Sequence, residues 1–269
     1  MQANVCDRFR LDGRVCFLSG ATGHLGPAMA EALASAGAWV LANGRNADAV
    51  ASLVSDLHGK GGKASAFSFD VTDRAAVKDA IDQIGKEHGR LDVIVNNASS
   101  GRTGTFEETS SADFEELYRV NVVAAFQIMQ TALPLLRKSA AFTAGASVVN
   151  VASMYGSVSP DPAIYGNSGA NNPPSYGAAK AALIQLTRYA ACHFAPEKVR
   201  VNCISPGPFP ARHYLDRDPE FHSRLKAKVP MQRTGEAREL QGPLLFLASD
   251  ASSFVTGVNL AVDGGWTAW

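Results

Sequence analysis

Tyr176-Gly-Ala-Ala-Lys180 places a phenol and an ammonium four residues apart. On a helix such residues share a face, so both side chains can enter one cleft. A phenol titrates near pH 10 in isolation and handles protons poorly at neutral pH. An ammonium one turn away favours the phenolate and is expected to pull that titration down. The pair alone is weak evidence, because Tyr-x-x-x-Lys arises by chance in a chain of this size. The other tyrosines, Tyr118, Tyr155, Tyr165, Tyr189 and Tyr214, lack a lysine at that offset.

The pair gains weight from a nucleotide signature upstream. Ser19-Gly-Ala-Thr-Gly-His-Leu-Gly26 follows an apolar run and opens a helical pattern. Gly20, Gly23 and Gly26 permit a tight turn, close approach of a pyrophosphate and close helix–strand packing. The helix N-terminus offers free N–H groups to phosphates. Ser19, Thr22, His24 and Leu25 complete the loop. The second strand ends in Ala42-Asn-Gly44-Arg45, with no carboxylate to accept from a ribose 2′-OH. Arg45 can instead pair with a 2′-phosphate, which favours NADP, with NAD as the alternative. A solvated arginine at a strand end is the plain competing reading. Asp70-Val71, after the third strand, is placed to flank an adenine.

These residues need a frame. Short apolar runs at 15–18, 39–42, 64–69, 91–95, 147–151, 199–204 and 259–262 read as strands. Helical patterns fall between them at 25–36, 47–57, 75–87, 111–136 and 175–194, with a possible break at Pro134. Continuous apolar strands alternating with helices predict an α/β fold, a doubly wound parallel sheet of about seven strands with helices on both faces. No linker or repeat divides the chain, so 1–269 is expected to form a single domain. Two stretches break the rhythm. Residues 157–174, rich in Pro, Gly, Asn and Ser, read as an inserted loop, and 207–230 as a substrate lid, both long irregular connections.

Composition narrows the function. Hydrophobic residues make up 46% and charged residues 19%, with a formal net charge of zero. Nothing suggests a nucleic-acid or membrane face. Cys6, Cys16, Cys192 and Cys203 form no Cys-x-x-Cys pair and read as reduced thiols of a cytoplasmic protein. His24, His58, His88, His193, His213 and His222 show no metal-ligand spacing, and no metal is expected. The N-terminal twelve residues lack an apolar signal core, and no stretch has the length to span a bilayer.

The ordered set of Gly20-x-x-Gly23-x-x-Gly26, Asp70, Asn96-Asn97-Ala98, Asn121, Ser153, Tyr176, Lys180, Pro206-Gly207 and the tail 254–265 resembles the short-chain dehydrogenase/reductase family from Leu11 to Trp266. The resemblance implies a Rossmann fold and an NAD(P)-dependent oxidoreductase interconverting a secondary alcohol and a ketone. It implies Tyr176 as general acid/base, Ser153 as the hydrogen-bond partner of the substrate oxygen, and Lys180 as the ribose-binding residue that lowers the tyrosine pKa. Asn121 corresponds to the helix-kink asparagine supporting a proton relay. Asn97, Ala98, Pro206 and Gly207 fall at cofactor positions, and Tyr155, Tyr165, Phe209 and His213 are candidate substrate contacts. The long polar segment before Tyr176 and the ending Asp263-Gly-Gly-Trp266 look most like gluconate 5-dehydrogenase-type and flagellin-modification-type members. A 3-oxoacyl-carrier-protein reductase or broad carbonyl reductase is the alternative, and a non-catalytic NADP-binding regulator the reading from another class. Family members form tetramers or dimers, so a homo-oligomer is expected, built partly on the helix carrying Tyr176.

Four departures stand out. His24 occupies a position where many members have Gly. Ser99 replaces the last Gly of Asn-Asn-Ala-Gly, a change expected to matter little. Ser153 and Tyr176 lie unusually far apart in sequence. No threonine follows Pro206-Gly207 closely.

Overall fold

In the computed structural model, which describes residues 4–101, 103–168, 171–211 and 218–269, seven strands form one all-parallel sheet. They are β1 (Val15–Ser19), β2 (Trp39–Gly44), β3 (Lys63–Ser68), β4 (Val93–Asn96), β5 (Ala146–Val151), β6 (Val199–Pro206) and β7 (Asn259–Val262), in the order β3-β2-β1-β4-β5-β6-β7. Successive strand residues face opposite sides, and here both sides are apolar. Cys16 and Leu18 of β1 join one core with Val40, Val95, Val149 and Ile204, while Val15 and Phe17 join the other with Ile94, Val148 and Val201. Helices α1 (Gly26–Ser35) and α2 (Ala47–Gly59) cover the first face, and α3 (Arg74–His88), α5 (Ala124–Ser139) and α6 (Pro174–Phe194) the second. This is the doubly wound arrangement expected from the sequence.

Helix ends follow local chemistry. The Asn46 side chain accepts from Ala49 N at the start of α2, and Asp73 accepts from Ala75 N and Ala76 N at the start of α3. Gly89 closes α3 at φ +72°, a left-handed conformation cheap only for glycine.

Two expectations are corrected. The stretch 111–136 does break, but not at Pro134. It divides into α4 (Ser111–Tyr118) and α5 across a π-helical turn at Arg119–Val123, and Pro134 lies inside α5. Second, 207–230 is not wholly irregular. It holds α7 (Pro219–Lys228), started by Asp218, whose carboxylate accepts from Phe221 N at 2.8 Å, with Pro219 as its first residue. Helix α8 (Gln241–Ala248), not among the helical patterns read from the sequence, packs Leu244 and Leu247 into the first core and carries Gly242-Pro243 in its first turn. A proline in the first helical turn forfeits no intrahelical bond.

The strand order reverses between β1 and β4, so the carboxyl ends of these two strands diverge into a crevice. The inserted segment is partly ordered by a 3₁₀ turn at Pro162–Tyr165. Asp161 pairs with Lys228 of α7 at 2.5 Å, and Arg224 Nε donates to Ile164 O at 2.9 Å. Met154, Ile164, Leu225, Val229 and Trp266 form a small separate core joining this segment, α7 and the C-terminal tail.

Candidate active site

Pro173 and Pro174 start α6, and Tyr176 lies in its first turn with Lys180 one turn on. Lys180 is buried, its Nζ donating to Val151 O at 2.9 Å at the end of β5. The same nitrogen lies 5.5 Å from the centre of the Tyr176 ring. Ser153 follows β5 by two residues, is buried, and caps a 3₁₀ turn by accepting from Tyr155 N at 3.1 Å. Its hydroxyl lies beside the Tyr176 phenol and draws the phenol's titration down. Two glycines bring the elements this close. A Cβ on Gly156 would lie 2.8 Å from the Lys180 carbonyl carbon, and one on Gly177 2.9 Å from Tyr155 O. Ser153, Tyr176 and Lys180 thus converge despite their separation in sequence.

The titration of the pair departs from the sequence expectation. Burial pushes the Tyr176 phenol above its ordinary value, and the Ser153 hydroxyl opposes this only in part. Burial also pushes the Lys180 ammonium down, to about 8. Lys180 is committed to a carbonyl and lies over the ring face, so desolvation outweighs the ammonium's pull on the phenol.

Asn121 is buried at the middle of the π turn. Its Nδ2 donates to Leu117 O at 2.9 Å and Ser100 O at 3.2 Å, and its Oδ1 accepts from Ser99 Oγ at 2.7 Å. A side chain that engages the backbone of the preceding turn marks where the α-helical ladder is interrupted. Ser99, read as a minor replacement, therefore takes part in holding Asn121. The sequence signal was its hydroxyl at a position commonly glycine.

The crevice beyond β1 and β4 fits a dinucleotide. Gly20 adopts φ +63°, and a Cβ there would meet Ala98 Cα at 2.8 Å. Asn97 Nδ2 donates to Gly20 O at 2.9 Å, while Ser19 Oγ accepts from Asn97 N and Ala98 N, each at 3.1 Å. Thr22, Gly23, Gly44, Arg45, Asp70 and Val71 line one cavity beside this turn. Leu25 precedes α1, and Gly26 opens it. The Asp70 carboxylate is held below its usual range, first by the Thr72 N–H, with the Thr72 hydroxyl, Arg45 and Arg119 also contributing. Thr72 N and Oγ1 each lie 2.8 Å from Asp70 Oδ1, and Arg119 Nη1 donates to Thr72 Oγ1 at 2.9 Å. Thr72 and Arg119 escaped sequence reasoning, though Arg119 stands two residues before Asn121. Pro206 ends β6, and Gly207 N donates to Val262 O at 3.0 Å.

Among the candidate substrate contacts, the Tyr155 ring meets Trp266 edge-on at 6.4 Å. Tyr165 packs 5.6 Å from Phe221 of α7. Both phenols are pushed up by burial. Phe209 is half-buried after β6, and His213 lies outside the described residues. Asn172 Oδ1 and His222 Nε2 are buried without a hydrogen-bond partner. No group of His, Cys, Asp and Glu suited to a metal ion occurs among the described residues, nor any helix long and apolar enough to cross a membrane.

Residues 20–267 match the family model described as enoyl-(acyl carrier protein) reductase. The chain is 34% identical over 257 residues to a 3-oxoacyl-(acyl-carrier-protein) reductase of Thermotoga maritima, covering 95% of this chain and 98% of the relative. It is 35% identical over 263 residues to a gluconate 5-dehydrogenase of Gluconobacter oxydans, covering 97% of each. The crystal structure of a gluconate 5-dehydrogenase from Burkholderia cenocepacia, in complex with NADP and tartrate, superposes with a TM-score of 0.89 at 31% identity, over 99% of this chain and 100% of that one.

Proposed function

The chain belongs to the short-chain dehydrogenase/reductase family, and on that footing we propose an NADP-preferring oxidoreductase that interconverts a secondary alcohol and a ketone. The carrying observation is the convergence of the Ser153 hydroxyl and Lys180 on Tyr176. A bound nicotinamide supplies or accepts the hydride. Tyr176 transfers the proton at the substrate oxygen, giving it up in reduction and taking it in oxidation. Ser153 hydrogen-bonds that oxygen as its charge develops. Lys180 anchors the nicotinamide-side ribose, and Asn121 maintains the π turn from which a proton path can lead away. Arg45 pairs with a 2′-phosphate, and Asp70 flanks the adenine.

For substrate, we favour a sugar acid or similar polyhydroxylated molecule. The gluconate 5-dehydrogenase relatives support this, as does Asn172 Oδ1, a buried acceptor lacking a donor. An unpaired buried acceptor penalises apolar ligands and rewards a hydroxyl. Asn167, Ser168 and Asn171 add polar groups on the same segment. The second reading, a 3-oxoacyl-carrier-protein reductase, is favoured by the Thermotoga relative but needs a basic docking surface, which a net charge of zero does not advertise. A homo-oligomer fits the exposed Tyr189 and Phe126, which line one groove beside α6 and α5.

The test is NADPH oxidation against keto-sugar acids, ketoses and acetoacetyl esters. Turnover on a keto-sugar acid is expected. Turnover confined to acetoacetyl esters would favour the second reading, and NADPH binding without turnover on any carbonyl would mark a non-catalytic binder.

A further inference from the structure

His24 stands in the glycine loop between Gly23 and Leu25, with its side chain exposed rather than packed. Its Nε2 lies 2.9 Å from the carbonyl oxygen of Phe209, 185 residues along the chain. A carbonyl oxygen only accepts, so Nε2 carries the proton in this contact. The contact thus joins the turn after β1 to the segment that leaves β6.

Both ends of the link are firmly held. Asn97 and Ser19 tie the glycine turn to the end of β4. On the other side, Gly207 N donates to Val262 O, and Gly235 N donates to Pro208 O at 2.9 Å. The Phe209 ring presses on Gly235 so closely that a Cβ there would lie 2.5 Å from Cε1. Prolines at 206, 208 and 210 stiffen the backbone on either side. A hydrogen bond between two such rigid pieces costs little side-chain or backbone ordering, so its strength goes into holding them together.

We infer that His24 is a latch across the cofactor cleft, fastening the glycine loop to the segment after β6 so that a bound dinucleotide is retained. This rests on the reading of the glycine loop as a dinucleotide cradle. It gives a positive use to a residue at a position where glycine would only minimise bulk. The latch is fastened with or without a dinucleotide and must open for one to enter or to leave, so its loss speeds both steps and leaves the affinity nearly unchanged.

The probe is NADPH, released into excess NADP and followed by fluorescence in stopped flow. His24→Ala is expected to release NADPH about fivefold faster, equivalent to ~1 kcal/mol and in the range of one neutral hydrogen bond. The association rate is expected to rise by a similar factor, leaving the dissociation constant near wild type. His24→Gln, which keeps an N–H donor, is expected to fall between. Amide hydrogen exchange in the dinucleotide-free protein reads the latch separately, and His24→Ala is expected to speed exchange at Gly207 and Gly235, whose N–H groups hold the segment to Val262 O and Pro208 O. Unchanged release and unchanged exchange in His24→Ala would overturn the latch. A wild-type protein that binds no dinucleotide would overturn the proposed function instead, and the exchange comparison would still decide whether the two segments are fastened.

Discussion

Replacing Lys180 by Met removes a buried cation while keeping an unbranched side chain of similar length. In the folded protein burial brings this ammonium from 10.5 to about 8. The unfolded chain therefore binds a proton that the native state has shed between about pH 8 and 10.5, so stability rises with pH across that window. Below pH 8 the native state carries the full penalty of a buried ammonium, ~3 kcal/mol for a shift of this size. Integrating the linkage from pH 7 to 9.5 gives the wild type a gain of ~2 kcal/mol that Lys180→Met lacks. The variant also strands Val151 O, at a cost of ~1–3 kcal/mol, so the two proteins are expected to be close in stability at pH 7. Urea unfolding of both dinucleotide-free proteins at the two pH values measures the difference, and turnover of the variant should be nearly lost. Parallel pH dependences in the two proteins would refute the claim that Lys180 is held as a desolvated, weakened base.

Other perturbations separate the remaining roles. Tyr176→Phe deletes only the titrating oxygen and is expected to lower kcat by about two to four orders of magnitude. NADPH affinity measured by fluorescence should hold, and full activity would remove Tyr176 from the mechanism. Arg45→Ala is expected to weaken NADPH by about tenfold or more while leaving NADH nearly unchanged, as expected for a lost charge-assisted bond to phosphate. Equal effects on the two affinities would make Arg45 a surface charge. Shortening the chain between Gly166 and Asn171 is expected to change the kcat/KM ratio between a keto-sugar acid and a simple ketone, and an unaltered ratio would leave that segment without a part in recognition.

The sheet was legible because its strands are apolar on both faces, and runs such as Val93-Ile-Val95 admit few other placements. The catalytic residues were legible because type and order survive in one dimension. What escaped depends on contacts between distant segments. The Asn121 side chain bonds to Leu117 O and Ser100 O, which places the helix interruption at Arg119–Val123 rather than at the more conspicuous Pro134. Helix α8 hid behind Gly242-Pro243, and α7 behind a charged composition whose apolar face is small. The direction of the Tyr176 shift was missed because spacing gives the distance to a charge but not the water removed from both partners.

The approach of the short turn after Ser153 to the first turns of α6, through Gly156 and Gly177, has a consequence for how this chain tolerates change. The reacting serine and tyrosine are aligned from below, by backbone touching backbone, and not by the length of the loop that connects them. Eighteen or so intervening residues can be lengthened, trimmed or exchanged to suit a new substrate without disturbing that alignment. A single added carbon at position 156 or 177 is another matter, since it would wedge the pair apart. Evolution thus has wide latitude in the long detour and almost none in two missing methyl groups.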